Sequence, residues 1–398
     1  MLGLAWAAYA SFGLVSASLA PLITPITAEL GITYTQMGMI LGAWQLAYIG
    51  VAYNAGRVLD RVGLRRGLGV GILVIAASAL ARSLAIDFWT MFAAVALFGV
   101  GAPMVSIGAP KLIATWFDAR ERGGAAGIYA TGPSVGSILV LTSTNAVLLP
   151  ATGGWRPTIA VLAGGALAVA LAWWLFARDE RGHGGAVAAG PTRGLGDLLR
   201  VRNVWLVVVI GFASFLSGHA LGNWLPKILE ARGFDAVSAG YWASIPSVFG
   251  IAGALTLPRL VRAEHRVWAV ALMLAVSAAA TATIALGGGP LLLGALVVQG
   301  FVRNSVTPFL MLLMMESPAV GAAAMGAAAG LFFTVGEIGG FAGPSAMGLL
   351  LDLTGGFTLG LSALAAVLLA MAIACLGLER QRPGVPADAQ RLVKAPSP

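Results

Sequence analysis

Residues 124–137 read GAAGIYATGPSVGS and residues 327–340 read AAAGLFFTVGEIGG. Laid over one another without gaps, they match at Ala125 and Ala328, Ala126 and Ala329, Gly127 and Gly330, Thr131 and Thr334, and Gly136 and Gly339, each pair 203 residues apart (328 − 125). A fixed offset of about half the chain marks a duplicated architecture built from two parallel repeats. Both stretches sit in long apolar runs, so what is duplicated is a set of apolar segments.

Composition sets the environment of those segments. Of 398 residues, 59% are hydrophobic and 10% charged, against about a quarter charged in soluble domains; so few charges cannot cover a soluble fold. Spanning a hydrocarbon core takes roughly 20 mainly apolar residues. Twelve such stretches are expected at 3–24, 35–56, 67–86, 89–116, 124–149, 155–176, 204–226, 236–257, 267–286, 290–315, 320–345 and 357–378. The first lacks the basic leader and cleavage pattern of a secretory signal and reads as a retained helix. The glycines lie inside apolar runs, where small residues let helices approach closely. Cys375 is the single cysteine, which excludes an internal disulfide and a thiolate metal site. The net charge of +8 is scattered between apolar stretches with no aromatic-basic face, which points to a membrane surface and away from nucleic acid.

The positive-inside rule orients the segments. Loops on one side hold Arg57, Arg61, Arg65, Arg66, Arg120, Arg122, Arg178, Arg181, Arg193, Arg200, Arg202, Arg259, Arg262 and Arg266, and the tail adds Arg380, Arg382, Arg391 and Lys394; the other side holds only Arg156, Lys227 and Arg232. Both termini are therefore expected in the cytoplasm, as an even count of spans requires. The expected organisation is an all-α membrane protein with a six-helix bundle over 1–176, a cytoplasmic linker over 177–203 with a short surface helix near Asp197 to Arg202, a second six-helix bundle over 204–379 and a disordered cytoplasmic tail over 380–398.

The loop between segments two and three reads Gly56-Arg57-Val58-Leu59-Asp60-Arg61-Val62-Gly63-Leu64-Arg65-Arg66. It resembles the loop signature of the major facilitator superfamily, an Asp followed by a Gly and paired basic residues. The resemblance implies twelve helices in two pseudo-symmetric bundles, and a latch that biases the outward-open state: Asp60, supported by Arg57, Arg61 and Arg65. An acid flanked by arginines can pair across an interface and meet the positive end of a helix; the plainer alternative is that these charges only set topology. The second-half loop, Pro258 to Arg266, lacks the Asp-Gly pattern. Gly132-Pro133-Ser134-Val135-Gly136 is similar to a Gly-Pro motif of some facilitator antiporters, and Gly343-Pro344 closes segment eleven; both also read as packing devices. Short stretches around Asn223-Trp224-Leu225-Pro226-Lys227 and Pro110-Lys111 resemble the cyanate and nitroimidazole porters and the group moving monocarboxylates, oxalate and nitrate. In the oxalate and monocarboxylate branches the binding cation lies in segment eight, so their site residues do not carry over.

Ionisable groups at mid-membrane are costly and mark pathways. Arg303 lies thirteen residues past Pro290, roughly 20 Å deep at about 1.5 Å per residue, among Gln299, Asn304, Ser305 and Thr307. Its guanidinium suits a carboxylate or other small anion, or else a structural pair with a neighbouring helix. Glu337, the one acid placed inside the membrane, either pairs with Arg303 or accepts the proton that drives transport. His219 and Asn223 lie one turn apart on segment seven, and His titrates near neutrality. Gln45, Tyr48 and Trp44 of segment two, with Tyr9, Tyr129 and Tyr241, are candidates to line a central cavity. Lys111 is expected to snorkel to the cytoplasmic headgroups and Arg82 and Asp87 to lie near the outer interface.

No nucleotide loop, metal cluster or nucleophile-base pair is assembled by these residues, which excludes an enzyme or primary pump, and nothing resembles a selectivity filter. The expectation is a monomeric, cofactor-free, proton-linked carrier of a small mono- or dicarboxylate type anion across the bacterial cytoplasmic membrane. Arg303, Asn304, Gln299, Gln45, Tyr48, Tyr129, His219 and Asn223 are its substrate contacts, and Glu337 and His219 its coupling groups. Two alternatives stay open: an exporter of neutral or hydrophobic drug-like compounds, and a non-transporting sensor on the same fold.

Overall fold

The computed structural model describes residues 1–118, 120–178, 201–317 and 320–378, with backbone alone at 321–324. Most of the linker expected over 177–203, including the short helix near Asp197, and the tail over 380–398 lie outside the described residues. The described residues form twelve helices: α1 Leu2–Leu30, α2 Tyr34–Val62, α3 Leu64–Ser83, α4 Phe88–Trp116, α5 Arg122–Thr152, α6 Trp155–Phe176, α7 Arg202–Glu230, α8 Ala236–Leu260, α9 Ala263–Leu286, α10 Gly289–Met315, α11 Gly321–Thr354 and α12 Thr358–Gly377. Eleven of them have the length and apolar composition of a membrane crossing, and α2 is not among these. Its 29 residues reach roughly 43 Å at about 1.5 Å each, so length is not the reason. Gln36, Gln45, Tyr48, Tyr53, Asn54 and Arg57 make α2 more polar than its neighbours, and it packs on α4 and α11 instead of facing lipid alone.

Local chemistry fixes the helix ends. The Thr33 side chain accepts the Gln36 N–H while the Gln36 side chain takes the Thr33 N–H, closing a capping box on α2. Gly63 alone joins α2 to α3 at φ +84°, a conformation costly for residues with a Cβ, which explains the glycine of the loop signature. Asp87 and Asp235 cap α4 and α8. Hydrogen bonds from Thr90, side chain and then backbone, hold the Asp87 carboxyl below its ordinary value, and those from Ser238 do the same for Asp235. A carboxylate depressed on folding stabilises above its unfolded value, and that gain is lost as pH falls through the folded value. Asp87→Ala should therefore lower the melting temperature in detergent modestly at neutral pH and leave it unchanged in strong acid.

The duplication is visible in packing. A Cβ on Gly136 of α5 would collide with the Ala10 carbonyl of α1, and one on Gly339 of α11 with the Phe212 carbonyl of α7. Equivalent glycines thus seat α5 on α1 and α11 on α7. Gly132-Pro133 and Gly343-Pro344 also serve close packing: the Pro133 carbonyl faces Gly13, and the Pro344 carbonyl faces Gly38 and accepts the Trp224 Nε1–H at 3.0 Å. Gly343-Pro344 does not end α11, as the sequence led us to expect. The apolar Met347 to Leu351 continue the helix to Thr354, which brings Asp352 onto it. Together with Glu29 at the end of α1, Asp352 is a helix-end acid, while Glu337 stands mid-helix.

Candidate transport site

The two halves of the chain meet along α2 with α11 and α5 with α8. In a twelve-helix chain the described termini share one end of the bundle; the opposite, far end is held shut. There Asp352 of α11 accepts the backbone N–H of Tyr34 at 3.1 Å, and that of Thr35 at 2.7 Å with its hydroxyl at 2.6 Å. A carboxylate from one half thus caps a helix of the other, where the helix dipole favours it. Lys227 of α7 donates to the Thr24 hydroxyl of α1 at 2.8 Å, and that hydroxyl donates to Glu230 at 2.9 Å. Asn145 sits in a π-helical turn of α5, Thr144–Leu148, and its Nδ2 donates to the Pro21 carbonyl at 3.2 Å and the Ala236 carbonyl at 3.1 Å. Hydrogen bonds to a charged acceptor contribute about 1.5–3 kcal/mol each when shielded and less when exposed, as Asp352 is. Losing about 1–2 kcal/mol shifts an equilibrium by about 5–30-fold. Asp352→Asn should therefore raise the labelling of a cysteine placed at Tyr48 by a membrane-impermeant thiol reagent added from the far side; unchanged labelling would remove Asp352 from the gate.

At the terminal end the loop signature spans no gap. Asp60, 69% exposed, pairs with Lys111 of α4 at 2.6 Å within its own half, so Lys111, expected to reach for the headgroups, also has an ion-pair partner. Arg57 donates to Asn54 and Tyr53, Arg65 donates to the Trp174 carbonyl at 3.0 Å, and Arg61 lies exposed in the last turn of α2. The second half holds a charge-inverted counterpart, Arg266 at the α8–α9 connection paired with Glu316 at the end of α10.

Between these ends lies a polar centre. Arg303 is fourteen residues into the 27-residue α10 (303 − 289), near its middle. Its Nη1 donates to the Gly218 carbonyl of α7 at 2.6 Å. Gly218 and Gly222 leave that face of α7 bare: a Cβ there would lie 3.6 and 3.8 Å from Nη1. Among the described residues no carboxylate comes within ion-pair distance of Arg303. Glu337 does not pair with it; its Oε2 is 4.0 Å from His219 Nε2, has no hydrogen-bond partner, and the residue is 6% exposed. Gln45, fully buried, crosses from α2: its Nε2 donates to the Gly340 carbonyl at 3.3 Å and lies 3.2 Å from His219 Nδ1, while its Oε1 has no partner. Gln45 is eleven residues from the start of α2 (45 − 34) and His219 eleven from the end of α7 (230 − 219), so both lie about 16 Å below the far ends. Gly340 makes this meeting possible, since a Cβ there would be 3.0 Å from the His219 ring and 3.1 Å from both Gln45 and Glu337. An amide nitrogen facing Nδ1 fixes Nδ1 as acceptor and puts the ring hydrogen on Nε2, toward Glu337.

Around this centre Trp44 lies 5.7 Å from the His219 ring, and Phe12, Tyr9 and Tyr129 continue the run along α1 and α5. The Tyr48 hydroxyl meets Ser106 at 3.1 Å, and Asn223 Nδ2 donates to the His219 carbonyl at 2.9 Å. Arg303, His219, Glu337, Gln45, Tyr48, Tyr129 and Asn223 are thus on or beside one surface. Gln299 is not: its Oε1 turns to α9 and accepts from the Ser277 hydroxyl at 2.8 Å. Asn304 turns to Gly250 of α8, and Tyr241 is exposed outside the aromatic run. Arg82, in the last turn of α3 near the far end, is buried there, donating to the Val15 carbonyl at 2.6 Å and the Ser18 hydroxyl at 3.0 Å, an internal tie. Asp352, Asn145 and Gly340 were not singled out from the sequence; the lone Asn within Leu141 to Leu149 was the available signal for Asn145.

The sequence model of the major facilitator superfamily matches residues 5–344. The chain belongs to the major facilitator superfamily. It is a multi-pass membrane protein and a transporter of that family. It is 24% identical over 388 residues, 89% of this chain and 84% of the relative, to a putative tartrate transporter of Agrobacterium vitis. It is 30% identical over 250 residues to a probable L-galactonate transporter of Escherichia coli (strain K12), where the match spans 58% of this chain and about half, 54%, of that relative. It is 27% identical over 372 residues, 86% and 84% of the two chains, to a quinolone resistance transporter of Acinetobacter baumannii. Among solved structures, a bacterial homolog of the human lysosomal transporter Spinster in an inward-facing and occupied conformation superposes with TM-score 0.74 over 96% of this chain and 98% of that one at 16% identity, a likeness of fold.

Proposed function

We propose that this transporter carries a small organic anion together with a proton across the bacterial cytoplasmic membrane by alternating access. The observation that carries the reading is Arg303, a mid-helix cation with one carbonyl contact and no acid beside it among the described residues. A guanidinium in that setting offers its remaining N–H groups to a carboxylate. Glu337 and His219 form the adjoining proton site. An anion on Arg303 and a proton on this pair favour one another by Coulomb attraction, and that favour is reciprocal. Relatives named as tartrate and L-galactonate transporters support an acid cargo. The described conformation corresponds to a closed far end and a released Asp60 latch. With both termini in the cytoplasm, this is the state that receives or delivers cargo inside. Asp60, with Arg57, Arg61 and Arg65, would engage the second half when the terminal end closes. The division into two bundles at 177–203 and a monomeric state belong to the same proposal.

A second reading, export of drug-like compounds, is favoured by the aromatic run beside the centre and by the relative named for quinolone resistance. Reconstitution decides. In proteoliposomes an imposed proton gradient should drive accumulation of a radiolabelled carboxylate, and a protonophore should abolish it. Gradient-driven movement of neutral compounds with no acid flux would select the second reading.

A further inference from the structure

The centre is chemically lopsided. Among the described residues its ionisable groups come from the second half, His219 on α7, Arg303 on α10 and Glu337 on α11, while the first half offers rings. Tyr129 and Tyr9 lie 5.5 Å apart at 32°, Tyr9 and Phe12 5.6 Å, Phe12 and Trp44 6.0 Å, and Trp44 and His219 5.7 Å. Phe215 continues the run 5.8 Å beyond His219. His219 joins the two surfaces, because its neighbour Gly218 holds the Arg303 guanidinium. Several hydrogen-bonding groups beside this wall are engaged by the protein itself. Gln45 is held by Gly340 and His219, Tyr48 by Ser106, Asn223 by the His219 carbonyl, and Trp6 Nε1 donates to Thr131 at 3.0 Å.

We propose that the acid bound at Arg303 is an aromatic monocarboxylate, its ring set against Tyr9, Trp44 and Tyr129; the inference rests on the anion reading above. Offset and edge-on ring contacts are the geometry such a wall provides. A polyhydroxylated acid would set hydroxyls against ring faces in place of water, a mismatch that costs specificity. A dicarboxylate lacks a second cation: among the described residues Arg82 is committed to Val15 and Ser18, and Lys111 is paired with Asp60. One cation and one acid therefore match one carboxylate and one proton.

The test is equilibrium dialysis of the purified full-length protein with radiolabelled benzoate, competed by cyclohexanecarboxylate, gluconate and succinate. Benzoate should bind several-fold more tightly than cyclohexanecarboxylate, which has the same charge and nearly the same size, and at least about tenfold more tightly than gluconate or succinate. Trp44→Leu should narrow the benzoate to cyclohexanecarboxylate ratio while Arg303 dependence persists; Tyr129→Leu, at a less buried position, serves if the first variant does not fold. Gluconate or succinate binding as tightly as benzoate, with all binding lost in Arg303→Gln, would overturn the aromatic inference and leave the anion reading standing. Equal binding of benzoate and cyclohexanecarboxylate also overturns it. Absence of binding by every acid overturns both.

Discussion

Replacing Arg303 by Gln should abolish counterflow of carboxylates in proteoliposomes while leaving the protein folded. Truncating one partner of a buried charge pair costs about 2–5 kcal/mol, which is at least about 30-fold in affinity, and here the lost partner is the central cation proposed to meet the cargo. Stability should change little, because the folded protein uses the guanidinium for a single bond to the Gly218 carbonyl and Gln can still donate a hydrogen bond. Arg303→Lys keeps the charge and loses the planar fork, so it should restore part of the affinity. Thermal unfolding of each variant separates a folding defect from a binding one. Undiminished acid counterflow in Arg303→Gln would move the cargo site elsewhere, and retained movement of neutral compounds with lost acid flux would show two cargo modes in one cavity.

Glu337→Gln should separate exchange from uphill transport. The substitution keeps the shape of the side chain beside His219 and Gly340 and removes the carboxyl proposed to gain and lose the proton. Counterflow, which needs only binding and reorientation, should continue; accumulation driven by an imposed proton gradient should fall to the level set by a protonophore. Coupling requires the two ligands to bind interdependently, so affinity for the acid should also lose its dependence on pH. His219→Gln should show the same separation in weaker form, because Glu337 remains. Gradient-driven accumulation that survives in Glu337→Gln would place the proton site outside this cluster.

How much of this was legible in the sequence follows from what each residue has to satisfy. Twelve helices could be counted because the bilayer demands long apolar runs, and the helix that departs from this in composition, α2, is the one that carries Gln45 to the centre. The 203-residue offset of Gly136 and Gly339 survived as a packing equivalence because only a residue without a side chain fits against a neighbouring carbonyl. Arg303, Glu337 and His219 stood out because lipid makes polar groups conspicuous. Partners were another matter. Gln299 and Arg303 are four apart and look like one face, yet Gln299 turns to Ser277 of α9, a contact set by the helix packing and not by spacing. Arg303 and Glu337 look like a natural ion pair in sequence, and the bare glycine face of α7 draws the guanidinium away. Asp352 was hidden because Gly-Pro reads as a stop, whereas Pro344 is absorbed within α11. Asp60 and Lys111, 51 residues apart, were visible as charges but not as a pair.

One carboxylate on Arg303 and one proton on the Glu337–His219 pair are proposed to bind together between the halves. Isothermal titration of the purified protein with a small carboxylate, repeated in buffers of different ionisation enthalpy near neutral pH, measures acid affinity and proton uptake in one experiment. Saturable binding is expected, with uptake of a proton per acid approaching about one, lost in Arg303→Gln and reduced to binding without proton uptake in Glu337→Gln. Binding that takes up no proton in the wild type, or that is indifferent to Arg303, would contradict the proposal.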